Sequence, residues 1–272
     1  MSNNKRQRQR DSREARAAAI RARQRKAQRQ RIIVMVFTAV VLVLGVSAFV
    51  VTGDGGAKKA VESTDTTVAA AAPSTPAVLT SVPPGASVSG DTPCPKTDGT
   101  AARTTAFSKP PPMCISPART YTADVTTSKG RFTITLDAKA APNTVNNFVV
   151  LARYKYYEGI VFHRIIPAFV VQGGDPTATG SGGPGYKFDD ELPKAGSYKE
   201  GSVAMANSGA NTNGSQFFIV TGQAGVSLPP NYSLFGTVTE GLEIVKSIEA
   251  VGSTGGQPSQ AISIASITIK ET

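Results

Sequence analysis

The chain lacks tryptophan and contains one histidine, His163, and two cysteines, Cys94 and Cys114. This scarcity of imidazole and thiolate groups leaves a structural or catalytic zinc site without its usual ligands. A Ser-His-Asp or Cys-His catalytic device would have to use His163, and no Gly-x-Ser-x-Gly motif accompanies it. The sequence therefore indicates no metal site and gives little support to hydrolysis.

The excess of positive charge is confined to one end of the chain. Residues 1–31 carry twelve lysines and arginines against Asp11 and Glu14, which gives +10, the net charge of the whole chain. The remaining residues carry 17 charges of each sign. Because they have no excess of positive charge, we expect no nucleic acid to bind the globular part. For the basic arm we expect contact with anionic lipid headgroups, with RNA as the alternative.

Residues 32–51 form an uncharged run, and fourteen of its twenty residues are Ile, Leu, Val or Phe. A helix of this length spans about 30 Å, the thickness of a bilayer's hydrocarbon core. The run is apolar all round, which favours a single transmembrane helix in contact with lipid over a buried helix of a soluble domain. The preceding basic residues predict a cytoplasmic N-terminus and an extracytoplasmic remainder. A cleaved signal peptide is the alternative, but the length of the run favours an anchor.

Residues 52–117 are rich in Ala, Ser, Thr, Gly and Pro, and Phe107 is their one aromatic residue. Such a stretch buries too little apolar area to offset its chain entropy, so we expect mostly a disordered or extended extracytoplasmic linker. Cys94 and Cys114 would then lie outside the cytoplasm, where thiols oxidise. We expect a disulfide between them that closes a small lobe.

Regular secondary structure is predicted from about Tyr121, in a globular domain of residues 118–272. Alternating apolar residues on both sides of a Ser-Lys-Gly turn predict an antiparallel hairpin. One helix is expected from Pro142 towards Gly159, and another between Gly241 and Gly252. Further strands are expected at 160–166, 168–172, 202–205, 216–221 and 234–238, with a last, bulged or doubly buried strand at 261–270. This pattern predicts a mainly β domain, a closed antiparallel barrel capped by helices.

Two features of this domain have structural interpretations. The glycine-rich stretch 180–185, Gly-Ser-Gly-Gly-Pro-Gly, lacks the Lys-Ser/Thr of a phosphate loop, and we expect a flexible surface loop. His163 lies in an alternating run, where neighbouring side chains point to opposite faces. If Arg164 faces a cleft, we expect His163 to face away from it as a hydrogen-bonded, buried or half-buried residue.

Two longer segments resemble a known family. Residues 162–175 have the sequence FHRIIPAFVVQGGD, and residues 205–219 have the sequence MANSGANTNGSQFFI. With Leu234, Phe235 and Gly236 further on, they closely resemble the cyclophilin family of peptidyl-prolyl cis-trans isomerases. The similarity covers about residues 118–272. It implies an eight-stranded antiparallel β-barrel capped by two α-helices, activity on proline-containing polypeptides, and no cofactor.

The resemblance also implies the residues of the site. Arg164 matches the family's catalytic arginine, Gln172 is expected to orient it or to contact substrate, and Phe218 completes the catalytic set. The implied substrate-binding residues are Phe169, Val170, Ala206, Asn207, Gln216, Leu228 and Tyr232. The alternatives are a surface ion pair for Arg164 and ordinary core packing for the apolar residues.

Three positions depart from the family's usual pattern. The family often carries tryptophan where this chain has Ser227, histidine where it has Tyr232, and methionine where it has Val170. Tyr232 still offers an aromatic wall and a hydroxyl, so we expect isomerisation to be retained. Cyclosporin binding, which in the family depends partly on that tryptophan, is expected to be weakened.

The sequence thus predicts a membrane-anchored bacterial cyclophilin that isomerises X-Pro bonds of exported or unfolded polypeptides outside the cytoplasm. One alternative is a chaperone-like module that binds proline peptides without catalysis, and another is an adhesin or host-interaction domain. The intact set of Arg164, Gln172 and Phe218 favours the enzyme.

Overall fold

The structure, a computed structural model, describes residues 77–272. The predicted basic arm, the predicted transmembrane helix at 32–51 and the first part of the predicted linker lie outside these residues. Among residues 77–272, no helix has both the length and the apolar character needed to cross a bilayer.

Ten strands and three helices make up the described part of the chain. They are β1 (Ala86–Val88), β2 (Thr104–Phe107), β3 (Tyr121–Thr127), β4 (Gly130–Leu136), α1 (Pro142–Arg153), β5 (Arg164–Ile166), β6 (Val170–Gly173), β7 (Ser202–Met205), β8 (Phe217–Val220), α2 (Gln223–Val226), β9 (Leu234–Glu240), α3 (Leu242–Glu249) and β10 (Ile264–Glu271). Strands β1 and β2 form a parallel pair of their own. The other eight form one antiparallel sheet in the order β10-β3-β4-β9-β7-β8-β6-β5.

The eight-stranded sheet curls into a half-barrel, and the expectation of a closed barrel is wrong. Within residues 77–272 the edge strands β5 and β10 share no ladder. The reason lies in the loop after α3, which covers the free edge of β5. The Ile165 N–H donates to the Gly256 carbonyl (2.8 Å), and the Ile165 carbonyl accepts from the Ser253 N–H (3.1 Å). These bonds satisfy backbone groups that a closing strand would otherwise pair, and they protect the edge from other chains.

The last strand contains the predicted bulge. Its pairing with β3 shifts register between Ile264 and Ser266, so one extra residue, Ala265, is inserted there. The shift explains why the apolar residues of this strand change phase, from Ile262 and Ile264 to Ile267.

Helix α1 begins without a capping side chain, because Ala141 precedes it. Glu191 supplies the missing acceptors from a distant loop. One of its oxygens accepts from the backbone N–H of Asn143 (3.0 Å), and the other from the N–H and hydroxyl of Thr144 (2.8 and 2.7 Å). A carboxylate is favoured at this end of a helix, where free N–H groups and the helix dipole present positive charge.

Residues 77–117, which we call the N-terminal lobe, pack against the sheet domain. Cys94 and Cys114 form a disulfide with Cα atoms 5.4 Å apart, the pairing expected from the sequence. Phe107 and Ile115 are buried in the main core. The linker expected for residues 52–117 therefore differs from the structure over 77–117. Composition underestimated this segment because Phe107 and Ile115 are buried in the main core and the disulfide closes the segment on itself.

Strands β6, β7 and β8 bury side chains on both faces. On one face Val171, Val203, Met205, Phe217 and Ile219 join the main core of the half-barrel. On the other face Val170, Ala204, Phe218 and Val220 form a second, smaller apolar cluster with Tyr198. Since successive strand residues alternate between faces, the same three strands build the core and support the surface described next.

Candidate active site

Strands β5 and β6 place Arg164 directly opposite Gln172 in an antiparallel ladder. Residues opposed in this way project their side chains from the same face of the sheet. The Arg164 guanidinium donates through Nη1 to Oε1 of Gln172 (3.2 Å). The strand register therefore determines which side chain holds the arginine.

A chain of amide hydrogen bonds continues from this pair. Gln172 Nε2 donates to Gln216 Oε1 (3.1 Å), and Gln216 Nε2 donates to the carbonyls of Gly180 and Gly182 (both 2.9 Å). Two carbonyls can only accept, so they fix the orientation of the Gln216 amide. That amide in turn orients Gln172, whose oxygen is then presented to Arg164.

Nine of the ten predicted site residues line one pocket of about 190 Å³. Phe169, Val170, Phe218, Leu228 and Tyr232 form one part of its wall, and Arg164, Gln172, Ala206 and Asn207 form the rest. The tenth, Gln216, lies outside this pocket and reaches it through Gln172.

Aromatic contacts set the walls of the pocket. The Arg164 guanidinium carbon lies 5.5 Å from the centroid of the Phe169 ring, within the range of a cation–π contact. The rings of Phe218 and Tyr232 meet edge to face with centroids 5.3 Å apart. The Tyr198 hydroxyl donates to the Tyr232 carbonyl (2.7 Å), which fixes the backbone that carries this wall.

Arg164 is half-buried and has no carboxylate partner within salt-bridge distance among residues 77–272. Its side chain is therefore not part of a surface ion pair within this part of the chain. The guanidinium has further N–H donors besides the one that bonds to Gln172. It can donate a hydrogen bond to a group bound in the pocket.

A groove of about 630 Å³ adjoins the pocket, and Gln172, Ala206 and Asn207 line both. Gln216 and residues 180–187 form much of its wall. A peptide seated in the small pocket would pass its neighbouring residues over this groove.

His163 faces away from the pocket and is 7% exposed, but the expected hydrogen bonds are absent. Neither ring nitrogen has a partner in the described part of the chain. Burial lowers the pKa of His163 below its ordinary value, and the charge of Arg164 adds to this effect while Asp175 opposes it. This shift favours the neutral form of the ring. Among residues 77–272 no group of three His, Cys, Asp or Glu side chains is arranged to hold a metal ion.

Comparison with known proteins identifies the family to which this fold and pocket belong. Residues 122–269 match the family model of cyclophilin-type peptidyl-prolyl cis-trans isomerases. This chain is a cyclophilin. Peptidyl-prolyl cis-trans isomerase A of Mycobacterium tuberculosis is 43% identical over 173 residues, which cover 57% of this chain and 94% of that protein. Isomerase CYP18-2 of Arabidopsis thaliana is 46% identical over 129 residues, which cover 46% and 78%.

Solved structures agree with this assignment. The crystal structure of a cyclophilin-type isomerase from Cryptosporidium parvum superposes with a TM-score of 0.52 at 34% identity, over 56% of this chain and 99% of that one. A second structure of that protein, in the presence of the dipeptide Ala-Pro, gives 0.51 at the same identity. This cyclophilin is therefore a peptidyl-prolyl cis-trans isomerase, the activity for which its relatives are named.

Sequence reasoning missed the support of the groove. The glycine-rich stretch was expected to be a flexible surface loop, yet Asp175 binds its first residues and the residues that lead into it. Its carboxylate accepts from the N–H and hydroxyl of Thr177 (both 2.7 Å) and from the N–H groups of Thr179 (3.1 Å), Gly180 (2.6 Å) and Gly182 (3.1 Å). The signal available in the sequence was an aspartate between the glycine pair 173–174 and the glycines of residues 180–185.

These bonds change the acidity of the buried carboxyl. Burial alone would raise the pKa of Asp175, but the hydrogen bonds from Thr177, Gly182 and Gly180 outweigh it and hold the pKa below its ordinary value. The ionised form is therefore stabilised by folding. The stability it contributes is fully present above the unfolded-state pKa and is lost as the pH falls through the lower folded-state pKa.

We predict that Asp175→Asn lowers the free energy of unfolding by about 1.5–3 kcal/mol at pH 7, because an amide nitrogen would replace an acceptor among N–H donors. The difference from the wild type should shrink as the pH falls from about 4 towards 2. Urea unfolding at several pH values measures both effects. Asp91→Asn removes an exposed carboxylate and serves as the control. A difference that is constant down to pH 2 would contradict the ionised role of Asp175.

Proposed function

We propose that this cyclophilin isomerises X-Pro bonds of exported or unfolded polypeptides outside the cytoplasm, with Arg164 hydrogen-bonded to the prolyl nitrogen in the transition state. The observation that carries the mechanism is a guanidinium without a carboxylate partner in the described residues, which lies beside the apolar and aromatic side chains of the pocket and is held there by Gln172. Each element of the mechanism follows from the chemistry of the amide bond.

Rotation about an X-Pro bond faces a barrier of about 18–20 kcal/mol, because the twisted amide loses its resonance. In the planar ground state the nitrogen lone pair is delocalised and accepts hydrogen bonds poorly. In the twisted state the lone pair is localised on nitrogen. A donor at that point therefore stabilises the transition state selectively, which is the condition for a higher rate.

Arg164 suits this role because its guanidinium is always charged and its donors lie in a rigid plane. One donor is engaged by Gln172, which leaves others for a bound peptide. The reaction needs no proton transfer and no covalent intermediate. The contribution of Arg164 does not depend on its losing a proton, so the mechanism predicts no requirement for a titrating base.

The apolar walls provide the other half of the mechanism. Phe169, Phe218 and Leu228 surround a space suited to one small apolar ring such as that of proline. These side chains would hold the proline ring while the preceding residue rotates. Binding therefore also orients the X-Pro bond for rotation. The Cryptosporidium parvum cyclophilin was crystallised in the presence of the dipeptide Ala-Pro, and this supports a proline-containing peptide as the ligand of the pocket.

The proposed cellular location rests on two independent features. The sequence carries twelve basic residues directly before a twenty-residue apolar run, the charge arrangement of an anchor with a cytoplasmic N-terminus. The Cys94–Cys114 disulfide supports an oxidising compartment for the rest of the chain. Both features favour clients that fold outside the cytoplasm.

We expect Arg164→Ala to lower kcat/KM for a proline peptide about 10–100-fold, since hydrogen bonds from charged donors contribute about 1.5–3 kcal/mol. Arg164→Lys keeps the charge but not the planar donors, and its kcat/KM should fall between those of the wild type and Arg164→Ala. A protease-coupled isomerase assay with the full-length chain gives these values. Arg119→Ala, which removes an exposed arginine on another surface, is the control. An unchanged rate in Arg164→Ala would contradict the mechanism, and peptide binding without turnover by the wild type would favour a chaperone-like binding module.

Protease accessibility tests the location. Protease added to intact cells should digest residues 77–272 and leave a fragment with the basic arm and residues 32–51 in the membrane fraction. Cell lysis should not be needed for this digestion. Full protection in intact cells, with digestion after lysis, would contradict an extracytoplasmic domain.

Weak cyclosporin binding is a further expectation. Ser227, where the family often carries tryptophan, donates its hydroxyl to the Gln223 carbonyl (3.0 Å), and it does not line the pocket. The loss of a large indole surface should weaken inhibition well beyond the nanomolar range. Inhibition curves for the wild type and Ser227→Trp measure the effect, with tighter inhibition expected for Ser227→Trp. Nanomolar inhibition of the wild type would contradict it.

A further inference from the structure

Phe107, the last residue of β2, connects the N-terminal lobe to the groove beside the proline pocket. Its backbone N–H donates to the Pro184 carbonyl (2.8 Å). Its ring packs edge-on against Tyr154 and Tyr186, with centroids 5.3 and 6.3 Å away. Phe107 is 3% exposed, so this contact is a packed interface within the molecule.

Gly185 shows how closely the lobe approaches the groove. Its φ of +107° is a conformation that other residues rarely adopt, and a Cβ at this position would overlap the Phe107 carbonyl oxygen. Pro184, Gly185 and Tyr186 all line the groove. These three residues form a thin wall, with the groove on one side and Phe107 on the other.

The rest of the groove is tied to the same wall through α1. Asn147 is 2% exposed, and its side-chain oxygen accepts from the Tyr186 hydroxyl (2.6 Å). Its side-chain nitrogen donates to the carbonyl of Gly214, another residue that lines the groove (2.8 Å). A displacement of Tyr186 would therefore alter the width of the groove and would not be confined to one side chain.

The disulfide restrains the segment that carries Phe107. Cys94 and Cys114 are separated by 20 residues, and Phe107 lies between them. Beside the disulfide, the Cys114 N–H donates to the buried Asn146 side chain of α1 (2.7 Å). The lobe is thus fixed to α1 next to Asn147, the residue that holds the wall.

We propose that the N-terminal lobe positions one wall of the groove through Phe107 and so determines how this enzyme binds substrate residues beyond the X-Pro pair. The inference rests on the isomerase function proposed above. The groove shares Gln172, Ala206 and Asn207 with the proline pocket, so a bound peptide continues into it on one side of the proline. Phe107 is not among the residues that line the pocket, so its effect is on binding and not on bond rotation.

Phe107→Ala tests the proposal because it removes the ring and keeps the backbone N–H. The full-length wild type and variant are assayed with three peptide substrates. These are a short blocked Ala-Pro peptide, the same peptide extended on its amino side, and the same peptide extended on its carboxyl side. Loss of binding alone raises KM and leaves kcat unchanged, and for one extended peptide we expect a KM about fivefold higher with kcat within about twofold. The other two peptides should show no change in KM.

Two further variants separate positioning from a general loss of stability. Ile115→Ala truncates another buried side chain of the lobe that does not line the groove, and it should leave all three KM values unchanged. Phe107→Leu keeps much of the apolar contact and should give a smaller rise for the same extended peptide. If Phe107→Ala does not fold, the KM values of Phe107→Leu for the three peptides test the proposal instead.

Three results would overturn the proposal: no change in KM, an equal change for all three peptides, or the same change in Ile115→Ala. If the proposed isomerase function is wrong, the result is a different one: the wild type does not turn over even the short peptide. The assay therefore distinguishes an incorrect role for the lobe from an incorrect activity.

Discussion

The hydrogen bond between Arg164 and Gln172 is the interaction on which the site depends. Both side chains come from short strands, and the register of β5 against β6 places them opposite each other. Gln172 is oriented in turn by Gln216, which two carbonyls of the glycine-rich loop hold in place. Among residues 77–272 the Arg164 guanidinium has no carboxylate partner, and a chain of neutral amides orients it instead.

The alternation of strand residues explains how a small domain has both a packed core and a binding surface. In β8, Phe217 packs in the main core and Phe218 forms the pocket wall. A one-residue slip of this strand would exchange the two faces. The strands that carry the site are thus held by the core behind them. Substitutions on the core face should affect stability first, and those on the pocket face should affect peptide binding first.

The resemblance to the cyclophilin family, which two short segments carry, implied the residues of the site, and nine of the ten line one pocket. Residues 162–175 and 205–219 supply most of the site, and a period of two within each strand determines which side chains share a face. Contacts between distant segments could not be predicted in this way. Glu191 caps α1 at Asn143, which lies 48 residues earlier in the chain, and Phe107 packs on Tyr186 from a segment whose composition suggested a linker. The half-barrel stays open for a similar reason, since a loop after α3 and not a strand covers β5.

A double-mutant cycle of Arg164→Ala and Gln172→Ala, read as kcat/KM for a proline peptide, tests the central claim most directly. If Gln172 acts by holding the arginine, Gln172→Ala lowers kcat/KM in the wild-type background and changes it less than about twofold when Arg164 is already alanine. The corresponding coupling energy is about 1 kcal/mol or more, within the range measured for residues in contact. Equal losses from Gln172→Ala in both backgrounds would show that the two side chains act independently and would contradict this account of the site.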